Sequence, residues 1–469
     1  MKILKYNGGM TRKRLLWLGL IGLVVAGSIG IYLVYPRLIL AAYQRYPNAV
    51  PDQLLYLAAT PLPTALPAPT VRADSNVAVS DPSEQLSVIS DQLEQLQPTV
   101  TASPTATLVP TFTPQSQIPS LSETEESNLQ SPTPKPTATS TPLPPTATPL
   151  PTAVRLENID IIPQKFNNCG PANLTITLGY HGVEVDQLDV GDVIKPNYDD
   201  RNVSPWEIVD YVNKETPMQA RYFVGGDVPL LKQLIAAGYP VIIEKGLYPN
   251  AWEGWMGHYL TLVGYDDVSQ EFISLDTFLG PWDGSGRRDS YETIHEFWQQ
   301  FNHTFILVYP PQDEAEILAM LPPKFDDPVQ MWSQTAIANQ ELTTAEPDNP
   351  YAWFNLGSSL IRLSNLIGDP SLPESAAAAF DQARTIGLPW RMLWYQFEPY
   401  EAYLASGRTA DVFTLSDAIL STEGGQNVEE TYLYRSYAYT ALGDETAAAA
   451  ALATALELNP NLETAVSDQ

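Results

Sequence analysis

Cys169 is the only cysteine among 469 residues, and it stands in the stretch NNCGPANLTITLGYHG, residues 167–182. A thiol is inert and a thiolate is nucleophilic. The start of a helix, with its unpaired N–H groups and partial positive charge, favours the thiolate. Gly170 and Pro171 suit a first helical turn, Leu174, Ile176, Leu178 and Tyr180 are available to bury the helix, and Gly182 ends it. A single cysteine rules out an intrachain disulfide. The competing expectation is a small buried hydrophobe, the commonest role of a lone cysteine. The helix-start setting favours thiol chemistry.

A nucleophilic thiol needs a base, usually histidine. Of the four histidines, His181 lies twelve residues along the same helix, about 18 Å away, and is out of reach. It suits the polar end of that helix. His295 in YETIHEFWQQF reads as a helix-surface residue, and His303 opens HTFILVYP in a structural setting. His258 opens HYLTLVGYD after the turn-rich YPNAWEGWMG. A residue at the start of a strand, beside a loop, can face a cleft on a rigid backbone, so His258 is the candidate base. A third group should orient the imidazole. A turn at DDVSQ pairs HYLTLVGYD with EFISLD and sets Asp276 opposite Thr261. An ideal ladder then places 258 and 276 on opposite faces, about 10 Å apart. A twist, a bulge or an early strand end is needed to bring them together. Five residues before the cysteine, the amide of Gln164 can join the Cys169 N–H in holding a developing oxyanion, with Asn167 and Asn168 as competitors.

The elements that must hold these residues read as helices first and strands later. QLDVGDVI, SPWEIVDYVNKE with Ser204 as N-cap and Pro205 at the first helical position, and DVPLLKQLIAAGY, near whose C-terminal end Gly238 lies, are expected helices. PVIIEK, HYLTLVGYD, EFISLD and TFILVYP are expected strands. That order suits an α+β domain over residues 155–310.

The rest of the chain sets the address and the surroundings. Residues 1–14 are basic, and residues 15–35 carry no charge. The uncharged stretch is long enough to span about 30 Å of hydrocarbon. Lys2, Lys5, Arg12, Lys13 and Arg14 precede it, so the N-terminus is expected in the cytoplasm and everything beyond residue 36 outside. A cleaved signal peptide is the alternative to this anchor. After a juxtamembrane segment, 36–59, residues 60–154 form a Pro/Thr/Ser-rich tract expected to be a disordered stalk. Residues 312–469 alternate alanine-rich helical segments with turns and resemble tetratricopeptide repeats. The last unit shows Ala438, Tyr439, Gly443, Asp444, Ala448, Ala455 and Pro460 in pattern, and Trp353, Leu356, Gly357, Ala383 and Pro389 mark an earlier one. An irregular helical bundle is the alternative. A net charge of −29 argues against a nucleic-acid partner.

Q-x-x-N-N-C-G-P-A, G-H-Y-L-T-L-V-G-Y-D and D-x-x-x-G-P-W, in that order, resemble the papain-like cysteine peptidases, in particular the bacteriocin-processing, double-glycine-leader family. The resemblance covers residues 155–310. It implies a papain-like α+β fold with Cys169 as nucleophile, His258 as its base, Asp276 as the orienting carboxylate and Gln164 as the oxyanion amide, with no cofactor or metal. A gap of five from Gln164 to Cys169 departs from the six commoner in papain-like enzymes. The best-known members are cytoplasmic and joined to a peptide-exporting ATPase, whereas this chain has no G-x-x-x-x-G-K-[ST] loop. The expectation is therefore a surface peptidase or amidase acting on peptides or proteins, with the repeats as a protein-binding surface. The alternative is an inactive papain-like scaffold that displays a peptide groove. Trp252, Trp255 and Trp282 flank the expected site and read equally as substrate grips or as core.

Overall fold

The structure, a computed structural model, describes residues 65–69, 93, 149–250 and 253–462. The expected anchor at 15–35 and most of the expected stalk lie outside these residues. Among the described residues no helix is long and apolar enough to cross a membrane.

The first part is α+β. Strand β1 (Ala153–Arg155) is followed by helices α1 (Cys169–Tyr180), α2 (Gln187–Ile194) and α3 (Pro205–Glu215). Then come β2 (Gln219–Phe223), α4 (Val228–Ala236), β3 (Val241–Leu247), β4 (Met256–Asp266), β5 (Glu271–Leu275), β6 (Arg287–Ser290), α5 (Tyr291–Gln299) and β7 (Phe305–Tyr309). The strands form one antiparallel sheet in the order β2-β7-β3-β4-β5-β6, with β1 pairing the far end of β4. The helix starts follow local chemistry. Ser204 N–H donates to Glu207 Oε2 at 2.7 Å, closing one arm of a capping box ahead of Pro205, and Asp227 caps α4 through the N–H of Leu230 at 2.8 Å. Helix α1 covers one face of the sheet, where Leu174 and Leu178 pack with Ile242, Tyr259, Ile306 and Val308. Helices α4 and α5 cover the other face through Leu231, Leu234, Ile235, Ile294 and Trp298, against Ile243, Leu260 and Leu262.

Three strands differ from the expectation. β2 (QARYF) and β6 (RRDS) carry too many polar residues to read as strands, yet both find backbone partners. β1 begins inside the tract expected to be stalk, anchored where Tyr265 donates to the Pro151 carbonyl at 2.8 Å. A second piece of that tract, residues 65–69, also lies on the folded body: Leu66 N–H donates to the Leu388 carbonyl at 3.0 Å and Arg384 Nε to the Pro67 carbonyl at 2.9 Å.

From residue 314 the chain is helical: α6 (Glu314–Met320), α7 (Pro328–Ala345), α8 (Pro350–Ile367), α9 (Leu372–Ile386), α10 (Glu398–Ala405), α11 (Thr409–Leu420), α12 (Glu429–Ala441) and α13 (Glu445–Leu458). From α7 to α13 each helix packs on the next, and α8 and α10, like α10 and α12, also touch. Gly357 permits a close approach of α8 and α9, since a Cβ there would stand 2.8 Å from the Phe380 ring of α9. The helices are welded to the sheet domain. Asn355 donates to the Gln299 carbonyl at 2.7 Å, Gln396 to the Gln300 carbonyl at 2.9 Å and Asn339 to Asn302 Oδ1 at 3.0 Å. One hydrophobic core runs through both parts.

Candidate active site

Cys169 is the first residue of α1, partly exposed at the end of the helix. As that first residue its N–H has no carbonyl of its own helix to bond. Asn168 occupies the N-cap position, but its side chain donates to the Gln187 carbonyl at 2.8 Å and not to the helix. Asn167 adopts a left-handed φ of 53° and reaches the Asp199 carbonyl at 3.3 Å. Both asparagines that compete with Gln164 for the oxyanion role are therefore committed elsewhere, Asn168 to the start of α2 and Asn167 to the loop after it.

His258, near the start of β4, is buried at 3% exposure. Its Nε2 lies 3.1 Å from Asp276 Oδ1. The ring and the Cys169 thiol are close enough to shift each other's protonation, and with Nε2 on Asp276 the nitrogen left for sulfur is Nδ1. The contact with Asp276 depends on an irregularity in the ladder. Gly264 pairs with Ile273, but Leu262 pairs with Ser274 and Thr261 with Leu275, so the register slips by one residue at Val263. Continued past the end of β5, the slipped register sets Asp276 level with Leu260, on the face that His258 shares. Asp276 Oδ1 also accepts the N–H groups of Phe278 and Leu279 at 2.9 and 2.8 Å. Those bonds fix the carboxylate before the ring meets it.

The charges are tuned accordingly. Burial would push the Cys169 thiol up, but the bond to His258, its charge and the N–H groups of Tyr259 and Gly170 outweigh this, and the thiol lies below its ordinary value. Burial disfavours the imidazolium, yet Asp276 and the thiolate raise His258 to about 9. Burial would raise Asp276, but the His258 charge and hydrogen bond and two backbone N–H groups hold it at about 2. The arrangement favours a thiolate–imidazolium pair near neutral pH.

Gln164 is not among the partners of the sulfur. Its backbone N–H donates to the Thr277 carbonyl and its Oε1 accepts from Thr277 Oγ1, both at 2.9 Å, so the carboxamide NH2 is the group left for a ligand. Thr277 in turn joins Asn173, which the sequence reading passed over. Asn173 is fully buried in α1 and donates to the carbonyls of Cys169 and Tyr259, each at 2.9 Å, and to Thr277 Oγ1 at 3.3 Å. Its Oδ1 accepts from Thr261 at 2.8 Å. One polar residue four positions after the cysteine, in an otherwise apolar stretch, was the available signal. Trp255 is core: buried, bonded to Gln300 at 2.6 Å and stacked on Phe301. Trp282 is 42% exposed, and Trp252 lies outside the described residues. His295 and His303 contact each other, at 3.2 Å between ring nitrogens, and take no part in the site.

No curated protein matches this chain. Among solved structures, a C39-like peptidase from Bacillus anthracis aligns at 19% identity, covering 33% of this chain and 96% of its own, with a TM-score of 0.28. The peptidase domain of Streptococcus ComA aligns at 19% identity over 33% and 99% of the two chains, with a TM-score of 0.26. A double glycine motif protease from an AMS/PCAT transporter, solved with its leader peptide, aligns at 15% identity over 33% and 97%, with a TM-score of 0.25. The model of the Peptidase_C39 like family matches residues 156–306, nearly the span from β1 to β7. Residues 156–306 of this chain are thus a domain of the Peptidase_C39 like family.

Proposed function

We propose that this protein is a thiol peptidase or amidase that hydrolyses peptide bonds through Cys169, His258 and Asp276. The Cys169 thiolate attacks the carbonyl carbon, a C–S bond forms, and the carbonyl electron pair moves onto oxygen. The Cys169 N–H and the Gln164 carboxamide stabilise that oxyanion. The C–N bond breaks as His258 gives its proton to the departing amine. A water then loses a proton to His258 and attacks the thioester, and the thiolate leaves. The observation that supports this reading is the buried His258 ring held by a pre-fixed Asp276, with the thiol at the helix start lowered by the charge of that ring.

The charge-free stretch 15–35 behind a basic N-terminus supports an anchored enzyme working outside the cytoplasmic membrane. The sequential packing of α7 to α13 supports a tetratricopeptide-like stack, with room for a protein partner on the faces not already used by the peptidase domain. The test is labelling of the full chain by a thiol-directed probe at neutral pH, followed by a peptide-library digest. Wild type should label and cut, and Cys169→Ala should do neither. Equal labelling of the two would end the nucleophile reading.

A further inference from the structure

Four residues that the catalytic reading does not use meet where the α2–α3 loop and the helical region reach the neighbours of Cys169 and His258. Arg201 comes from the loop between α2 and α3, two positions before Val203. That loop touches the catalytic helix, since a Cβ on Gly170 would stand 3.2 Å from Val203. Arg391, Trp394 and Tyr395 come from the helical region. The Arg201 guanidinium lies 5.4 Å from the Trp394 ring centroid and that of Arg391 5.3 Å from the same ring. Tyr395 presses on the residue before His258: a Cβ on Gly257 would stand 2.8 Å from its ring. The Tyr395 hydroxyl feels the charges of Arg391, Arg201 and Cys169 together.

The charge balance of this wall is uneven. Arg391 is buried at 5% exposure and meets one carboxylate, Glu253, at 3.5 Å. Its Nε, like the Trp394 indole N–H, has no hydrogen-bond partner among the described residues. Arg201 is half-buried and meets no carboxylate among the described residues. Two guanidinium groups on one indole, with one counter-charge between them, repel each other and leave donors unused. Guanidinium forks on an aromatic platform are suited to a carboxylate. The chain as a whole carries −29, so anion preference at this point runs against the general field and needs a local cause.

We propose that Arg201, backed by the buried Arg391, Trp394 and Tyr395, forms a substrate subsite for a carboxylate, built jointly by the α2–α3 loop and the helical region, next to the bond that Cys169 cleaves. The proposal rests on the reading of Cys169 as nucleophile. The sole cysteine makes the test clean. Alkylation of the full chain is followed with iodoacetate and with iodoacetamide, and the ratio of the two rates cancels changes in thiolate population that affect both reagents. The ratio should fall roughly three- to tenfold in Arg201→Gln, and in wild type it should fall as NaCl is added. An equal ratio in wild type and variant, or a ratio in wild type that ignores salt, overturns the subsite and leaves the nucleophile standing. Absence of labelling by iodoacetamide overturns the nucleophile and this proposal with it. N-acetylglutamic acid α-amide and N-acetylglutaminylglycine separate the two sources of carboxylate. Stronger protection of Cys169 by the first assigns an acidic side chain, stronger protection by the second assigns a free chain end, and protection by neither overturns the subsite.

Discussion

At His258 two buried groups are displaced in opposite directions by one contact. The imidazole is raised to about 9, so the stability it contributes is complete below its ordinary 6.5 and is lost as pH climbs through 9. The carboxylate of Asp276 is held at about 2, so its contribution is present above its ordinary 3.8 and is lost as pH drops through 2. The same pair governs reactivity. Peptide hydrolysis should fall on the alkaline side near pH 9, where the imidazolium that protonates the leaving amine disappears. In Asp276→Asn that limb should move down toward 6.5, and thiolate alkylation at pH 7 should slow by about tenfold or more. A variant with an unmoved alkaline limb would show that Asp276 does not set the charge of the ring. At this scale the placement of the candidate residues was legible: a cysteine at a helix start and a histidine near a strand start are local signals. The Arg201–Trp394 pairing was not, because it joins positions almost two hundred residues apart that carry no motif.

The elements decide whether those residues meet. The slip at Val263 turns an unfavourable ladder into a productive one, and nothing in LTLVGYD marks which residue is the extra one. The need for an irregularity was readable from the period of a strand, but its place depends on how β5 seats against β4. Asn173 is the second such device, pinning helix to sheet through Thr261, Thr277 and the Tyr259 carbonyl. Asn173→Leu leaves those partners buried and unpaired, and should cost about 2–4 kcal/mol, read as a lower urea midpoint at unchanged slope. Thiol reactivity should fall further than that loss predicts, because Thr277 would no longer be held where it fixes Gln164. β2 and β6 escaped the reading for the opposite reason: their sequences are polar, and only their neighbours make them strands.

Across the whole molecule the boundary near residue 311 is real in composition and absent in the core. Trp255 and Phe301 pack on Tyr395, and buried amides of α7 and α8 close hydrogen bonds to the 299–302 turn. Calorimetry of the full chain should therefore give one transition, while a fragment ending at residue 310 should unfold at markedly lower temperature or aggregate. A fragment as stable as the parent would mean that the helices are mere passengers. The seam also carries a pH dependence. Lys195 feels Asp200, Glu429 and Asp199, with Glu207 and Glu430 next to Asp200 and Glu429, and burial, with Glu429 next to it, raises Glu207 to about 8. A carboxyl raised in the folded state stabilises at low pH and loses that contribution as pH rises from about 4.5 through 8. The melting temperature should thus decline between about pH 4.5 and 8, and Glu207→Gln, which keeps an acceptor for the Ser204 N–H, should flatten the decline. Composition gave the helical region away. It gave no hint that the region shares the peptidase domain's core.

The bond from Leu66 to Leu388 changes what kind of leash the proposed anchor would provide. If residues 15–35 sit in a bilayer, the distance from membrane to enzyme is set by the thirty residues between positions 35 and 66, at most about 100 Å of taut chain. Residues 65–69 and 153–155, on either side of the span 70–148, both pair with the body. A protease that nicked that span would open a closed ring without setting the enzyme adrift.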